Sequence, residues 1–350
     1  MKKKIILTGG GTGGSVTPLL ALVPDFQSEG WEVAWIGTHI GIEKNIVSQA
    51  QLPYYSISSG KLRRYFSWQN LVDIFHIKIG FFQSLKLLLT LKPDVVMSAG
   101  GYVSVPVVWA AWCLRIPVAI HQQDIRPGLA NKLMSPCASL ITVTFEKSLQ
   151  DYSSKAIWTG NPIRSEFFKA THELNSTDDH RPKILFLGGG TGAQAINELV
   201  QTSLFALTEH YTIIHLTGEQ AVLMDKNVPH YHVYSFLNAQ EMANIISEAD
   251  VVVTRAGLGT LTELSYLAKA IIIIPMPDSH QEDNAYYFSE KGAAIILPQA
   301  MVSAKTLLDG IADLLNDSEK IESQQQAIKR IMKPQANAMI TNLIKVLMSK

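Results

Sequence analysis

"KIILTGGGTGG" (residues 4–14) returns half a chain later as "KILFLGGGTGA" (residues 183–193). Each copy is a short β-branched or leucine-rich run followed by glycines. A helix-like segment comes next: "VTPLLALVPDF" (16–26) in the first half, "QAINELVQTSLFAL" (194–207) in the second. Further buried-strand candidates follow in each half. They are "EVAWIG", "VVMSAGG" and "VAIHQQD" in the first, and "TIIHLTG", "VVVTRAG" and "IIIIPMP" in the second. Short continuous apolar runs alternating with helical patterns predict parallel sheets covered on both faces. The expectation is an α/β protein of two Rossmann-like, doubly wound domains facing across a cleft, with ligands at the carboxyl ends of the strands. The boundary falls near Pro162, giving domains 1–162 and 163–335. The helical C-terminal stretch (336–350) is free to pack on either.

Bulk composition agrees with this division. The chain has 350 residues, enough for two domains, and 47% hydrophobic against 17% charged residues describes a well-filled globular chain. Thirty basic residues balance thirty acidic ones, so net charge gives no reason to expect a nucleic-acid partner. Cys113 and Cys137 lack metal-ligand spacing and read as reduced core residues of a cytoplasmic protein. The basic start "MKKKIIL" imitates a signal peptide, but its apolar run ends at once in glycines. The longest near-apolar stretch, Tyr102 to Leu114, is too short to span a bilayer.

Gly9-x-Gly11-x-x-Gly14 formally satisfies the dinucleotide fingerprint, yet the second strand ends in Gly37-Thr38 instead of an acid for a ribose. The P-loop lysine is missing too, since Ser15 stands there. What survives is the shared physics: exposed amides approached closely across glycines stabilise phosphate or diphosphate. A tight strand-to-helix turn needing positive φ is the plainer alternative. In the second half, Glu263 falls in the first turns of a helix, where a carboxylate suits ribose hydroxyls. The loop "PDSHQEDNA" (277–285) brings Gln281 and Asn284, whose amides suit sugar hydroxyls. No Asp-x-Asp stands beside a strand end, and Asp178-Asp179 lies in a polar loop, so a diphosphate-bound divalent metal is not expected.

Taken in order, "GGGTGG", "WIGT" with "GIE", "SAGGYVSVP", "IHQQD", "TGNPIR", "GGGTGA", "RAGLGTLTE" and "HQEDNA" resemble the motifs of the MurG family, peripheral-membrane N-acetylglucosaminyltransferases of peptidoglycan synthesis. The resemblance implies the GT-B arrangement. It also implies transfer of N-acetylglucosamine from UDP-GlcNAc to the 4-hydroxyl of MurNAc in undecaprenyl-diphosphoryl-MurNAc-peptide, with inversion and without metal or cofactor. It places the enzyme on the cytoplasmic face of the plasma membrane, with cell-wall synthesis proteins as candidate partners. Donor contacts would come from Glu263 (ribose), Gln281 and Asn284 (sugar), and Arg164 with Gly190, Thr191 and Gly192 (diphosphate). Acceptor contacts would come from Gly11, Thr12, Gly13, Gly14 and Ser15, with Gly100, Gly101, Tyr102 and Ser104 on the muramyl side.

Three motifs depart from the family's pattern. His is usual at Ser15, His-Glu-Gln-Asn where this chain has His121-Gln122-Gln123-Asp124, and Ser at Gly190. An unassisted hydroxyl is no base at neutral pH. The expected catalytic groups are therefore Asp124 as the carboxylate, or His121 oriented by Asp124. A relative that binds nucleotide sugar or lipid carrier without catalysing is the alternative, as is a GT-B transferase of another sugar. Residues 61–92 carry six cations (Lys61, Arg63, Arg64, Lys78, Lys86, Lys92) against one acid, with Phe66, Trp68, Ile74, Phe75, Ile77, Phe81 and Phe82. That is more apolar surface than one helix face buries, and it predicts a patch for an anionic membrane surface.

Overall fold

The computed structural model describes residues 2–61, 68–152, 154–169, 181–188, 193–218 and 227–349. The chain divides into two compact units, Met1–Arg164 with Lys333–Lys350, and Ser165–Met332. The first is built on seven parallel strands: β1 (Lys4–Thr8), β2 (Glu32–Thr38), β3 (Tyr54–Ile57), β4 (Val95–Ser98), β5 (Val118–Gln122), β6 (Leu140–Val143) and β7 (Ala156–Trp158), in the order β3-β2-β1-β4-β5-β6-β7. The second has six: β8 (Lys183–Leu187), β9 (Thr212–Leu216), β10 (Tyr231–Tyr234), β11 (Val251–Thr254), β12 (Ala270–Ile273) and β13 (Ile295–Ile296), in the order β10-β9-β8-β11-β12-β13.

The repeated stretches occupy equivalent places. Ile5 aligns with Val33 of β2 and Val95 of β4, and Ile184 aligns with Ile213 of β9 and Val251 of β11. β1 and β8 are thus the strands where the order reverses, and the loops that follow them open at the switch point. The duplication reaches further than the glycines. The Lys4 amide donates to Asp94 Oδ2 at 2.6 Å and the Asp94 amide returns a bond to the Lys4 carbonyl. The Lys183 amide donates to Asp250 Oδ2 at 2.7 Å, and Asp250 returns the bond in the same way. An aspartate before the fourth strand therefore fixes the register of the central pair in both sheets.

Period-two alternation builds the core of the first unit. Ile5, Leu7, Val33, Trp35, Val95 and Met97 face one cluster, and Ile6, Ala34, Ile36, Val96 and Ile120 face the other. The former cluster is completed by Ile340 and Ile344 of the C-terminal helix Ala336–Leu347, which settles on the first unit. Asn337 locks it there. Its Nδ2 lies 2.9 Å from the Ala21 carbonyl and 3.0 Å from the Ile163 carbonyl, and its Oδ1 accepts from the Ile163 amide at 3.0 Å.

Two expectations need correction. Cys113 is exposed and Cys137 half-buried, because the helix Ser104–Cys113 ends with its last residue outside the core. The longest apolar stretch is not Tyr102 to Leu114. Within helix Trp68–Leu91, residues Val72–Leu91 are apolar and long enough to cross a membrane by length and composition. Asp73, Lys78 and Lys86 hide that run from a reading that counts only uninterrupted apolar residues. Gly80, Ser84 and Leu88 mark its buried side, whereas Phe75 is 63% and Phe82 68% exposed. Phe81 packs against the core, and Phe66 lies outside the described residues.

Candidate active site

In the first unit the loops after β1 and β4 touch. Gly11 has φ +85°, and a Cβ there would stand 2.5 Å from the Tyr102 ring. Gly101, also at φ +85°, backs onto the Gly10 carbonyl, so any side chain would collide with backbone. Both glycines are demanded by close approach. Glu43, from "GIE", is wholly buried against this junction. Its carboxylate accepts from the Thr38 amide at 3.0 Å, the Thr38 hydroxyl at 2.5 Å and the Gly11 amide at 3.2 Å. It ties the end of β2 to the glycine loop, a role sequence reading missed although the motif was visible. The Tyr102 phenol is pushed up by burial first, and then by the negative charges of Glu43 and Asp73.

The loop's hydroxyls divide by exposure. Thr12 is exposed, as are Gly11 and Gly14. Ser15 is buried and donates toward the carbonyls of Gly10 and Thr12, both at 3.1 Å. Ser104 is buried and donates to the Gly100 carbonyl at 2.8 Å. These two serines were expected among the acceptor contacts; they brace the loops instead, because their protons are spent on backbone.

His121 requires a larger correction. It is fully buried on β5; Nδ1 lies 2.9 Å from the Thr142 hydroxyl and Nε2 2.8 Å from Asn161 Oδ1. An amide oxygen only accepts, so Nε2 carries the proton and Nδ1 accepts from Thr142. Burial pushes the imidazole down to about 4, with the Asn161 hydrogen bond acting the other way. The ring is a neutral core group whose partners are Thr142 and Asn161, and the expected orientation by Asp124 is absent from those contacts. Strand alternation explains this: His121 points inward, while Asp124 is half-buried just past the strand end.

Around that end lies a carboxamide network missed by sequence reading. Gln122 Oε1 accepts from Asn131 Nδ2 at 2.5 Å and from the Tyr152 hydroxyl at 3.0 Å, and its Nε2 donates to the Asp124 carbonyl at 2.7 Å. The neutral amide of Gln122 therefore has donors and an acceptor matched to it.

In the second unit, Gly190, Thr191 and Gly192 lie outside the described residues. Glu263 is buried in the helix Leu258–Tyr266. Gln281 is the second residue of the helix His280–Glu290, and its Oε1 accepts from the Met276 amide at 3.2 Å. Asn284 is fully buried and donates to the Ala256 carbonyl at 3.2 Å, so its amide ties that helix to the loop after β11. Arg255, unassigned from sequence, reaches the Ile274 carbonyl at 2.9 Å and Gln299 Oε1 at 2.6 Å, pinning together the segments after β11, β12 and β13. Arg164 is half-buried as the last residue of the first unit's leading segment. Among the described residues, no three His, Cys, Asp or Glu side chains are grouped to hold a metal ion.

Comparison with known proteins gives matches over most of the chain. Residues 5–143 match the glycosyltransferase family 28 N-terminal domain, and residues 183–340 its C-terminal domain. A Legionella pneumophila protein named UDP-N-acetylglucosamine--N-acetylmuramyl-(pentapeptide) pyrophosphoryl-undecaprenol N-acetylglucosamine transferase is 37% identical over 342 residues, covering 94% of this chain and 93% of its own. A Clostridium perfringens protein of the same name is 40% identical over 331 residues, covering 91% and 92%. The crystal structure of Acinetobacter baumannii MurG superposes with a TM-score of 0.77 at 28% identity, covering 98% of this chain and 99% of that one.

Proposed function

The chain belongs to the MurG family of glycosyltransferases, and from that premise we propose that it moves N-acetylglucosamine from UDP-GlcNAc to the muramyl 4-hydroxyl of undecaprenyl-diphosphoryl-MurNAc-peptide. The observation that carries this is identity of 37 to 40% with whole-length relatives of that name across more than nine-tenths of the chain. In the reaction the acceptor oxygen bonds to the sugar's anomeric carbon, the bond from that carbon to the diphosphate breaks, UDP departs and the hydroxyl proton is released. The test is disaccharide formation from UDP-GlcNAc and a short-chain acceptor analogue. Product is expected, with none when the analogue lacks the 4-hydroxyl. UDP release without acceptor, or no product, overturns the reading.

We assign the acceptor to the first unit and the donor to the second. The loop from Thr12 to Gly14, exposed at Thr12 and Gly14, suits the lipid diphosphate, and Tyr102 stands beside Gly11 at its start. Glu263 and Gln281, both in the second unit, suit the ribose and the sugar. For the proton we retain Asp124 alone, since His121 has both nitrogens engaged and is held neutral. Membrane attachment belongs to helix Trp68–Leu91. Phe75 and Phe82 stand out from it alongside exposed Lys78 and Lys86, a composition that lies in a headgroup layer and favours anionic lipid. A lipid-linked acceptor would then be met where it resides, at the cytoplasmic surface.

A further inference from the structure

Gln123 follows β5 directly and is only 7% exposed. Its Nε2 is buried without a hydrogen-bond partner. Its Oε1 lies 3.6 Å from the point a Cβ on Gly14 would occupy, so the carboxamide faces the last glycine of the first loop. An unpaired buried amide N–H is costly to leave unmade. Rotation about the terminal side-chain bond exchanges the two atoms and turns the NH2 group toward Gly14.

The two ends of the loop are unlike. At Gly11 the amide is already spent on the Glu43 carboxylate, and that buried negative charge opposes a second anion nearby. At Gly13 and Gly14 the amides open a short turn and have no acceptor within it, and Thr12 makes no side-chain cap. An anion is therefore favoured toward Gly14, the end that Gln123 faces.

We propose that Gln123 is a specificity-determining residue for the acceptor, its carboxamide donating an N–H to the diphosphate of the lipid-linked substrate at the Thr12–Gly14 side of the loop. The inference rests on the assignment of the acceptor to the first unit. It adds a neutral donor that distinguishes a diphosphate from an uncharged linker, and it gives the orphaned amide its partner.

The experiment compares wild type with Gln123→Met, which keeps the length of the side chain and removes the donor, and with Gln123→Glu, which sets a carboxylate against the phosphate. In Gln123→Met the acceptor KM should rise about tenfold, the scale of one hydrogen bond to a charged group, with the KM for UDP-GlcNAc within about twofold. The melting temperature should hold or rise, because an unpaired buried polar group has been removed. Gln123→Glu should lose more acceptor affinity than Gln123→Met. An analogue whose diphosphate is replaced by an uncharged spacer should bind wild type and Gln123→Met equally. An unchanged acceptor KM in Gln123→Met, or both KM values rising with a lower melting temperature, overturns the proposal. Direct binding of the diphosphate analogue without donor separates the two readings. A wild type that binds it more tightly than Gln123→Met yet forms no product refutes the transferase function and leaves this inference standing.

Discussion

His121 and His215 solve the same problem with different neighbours. Nε2 of His215 lies 3.0 Å from Asn197 Oδ1 and Nδ1 lies 3.0 Å from the Tyr231 hydroxyl, and burial lowers this ring to about 4 as well. An ordinary histidine titrates near 6.5, so on acidification the unfolded chain takes the proton first. The stability these groups contribute is whole above about pH 6.5. It is lost as pH falls toward 4, by roughly 3 kcal/mol for each ring. Urea midpoints measured from pH 7.5 down to 4.5 should fall steeply below 6.5, and His215→Gln should flatten the slope. Asp124→Asn tests the remaining proton acceptor: turnover should drop about a hundredfold, the lower range for a general base, with the fold intact. Unchanged turnover would mean the acceptor hydroxyl needs no protein base. Residue identities were readable in the sequence, but roles were not. Ser15, Ser104 and Asn284 belong to the residue types that greet a ligand, yet their donors end on backbone carbonyls of the loops they shape. That choice depends on the turn's three-dimensional course.

Elements were legible where periodicity was local. The six further apolar runs are all strands, and "KIILT" and "KILFL" are the strands at the two switch points. Edge strands such as β3, β7 and β13 passed unnoticed because partial burial breaks their pattern. Helix Trp68–Leu91 was read as a membrane patch from composition; only its packing tells which aromatics are free for lipid. The pair to alter is Phe75 and Phe82, not Phe81, which the core already holds. Phe75→Ser with Phe82→Ser should abolish flotation with phosphatidylglycerol-rich vesicles while preserving turnover on a soluble acceptor. Retained flotation would place the membrane contact elsewhere.

At the scale of the whole molecule, the aspartate clamps and the two switch points show that one plan was used twice, and the repeated glycine stretch made that readable. The attachment of the last helix was not readable, since an amphipathic segment fits either core and the decision rests on contacts more than 300 residues apart, such as Asn337 with Ala21. Asn337→Ala should cost roughly 2–4 kcal/mol, because it strands the Ala21 and Ile163 backbone groups. Chemical denaturation should detect that loss as a lower midpoint.

Because Lys333–Lys350 returns to the unit that begins the chain, the half synthesised first is completed last. On the ribosome, Ser165–Met332 has all its strands before the opening half receives Ile340 and Ile344. A nascent chain stalled at residue 332 would therefore leave an oily seam along the helix Val23–Ser28 for chaperones to shield.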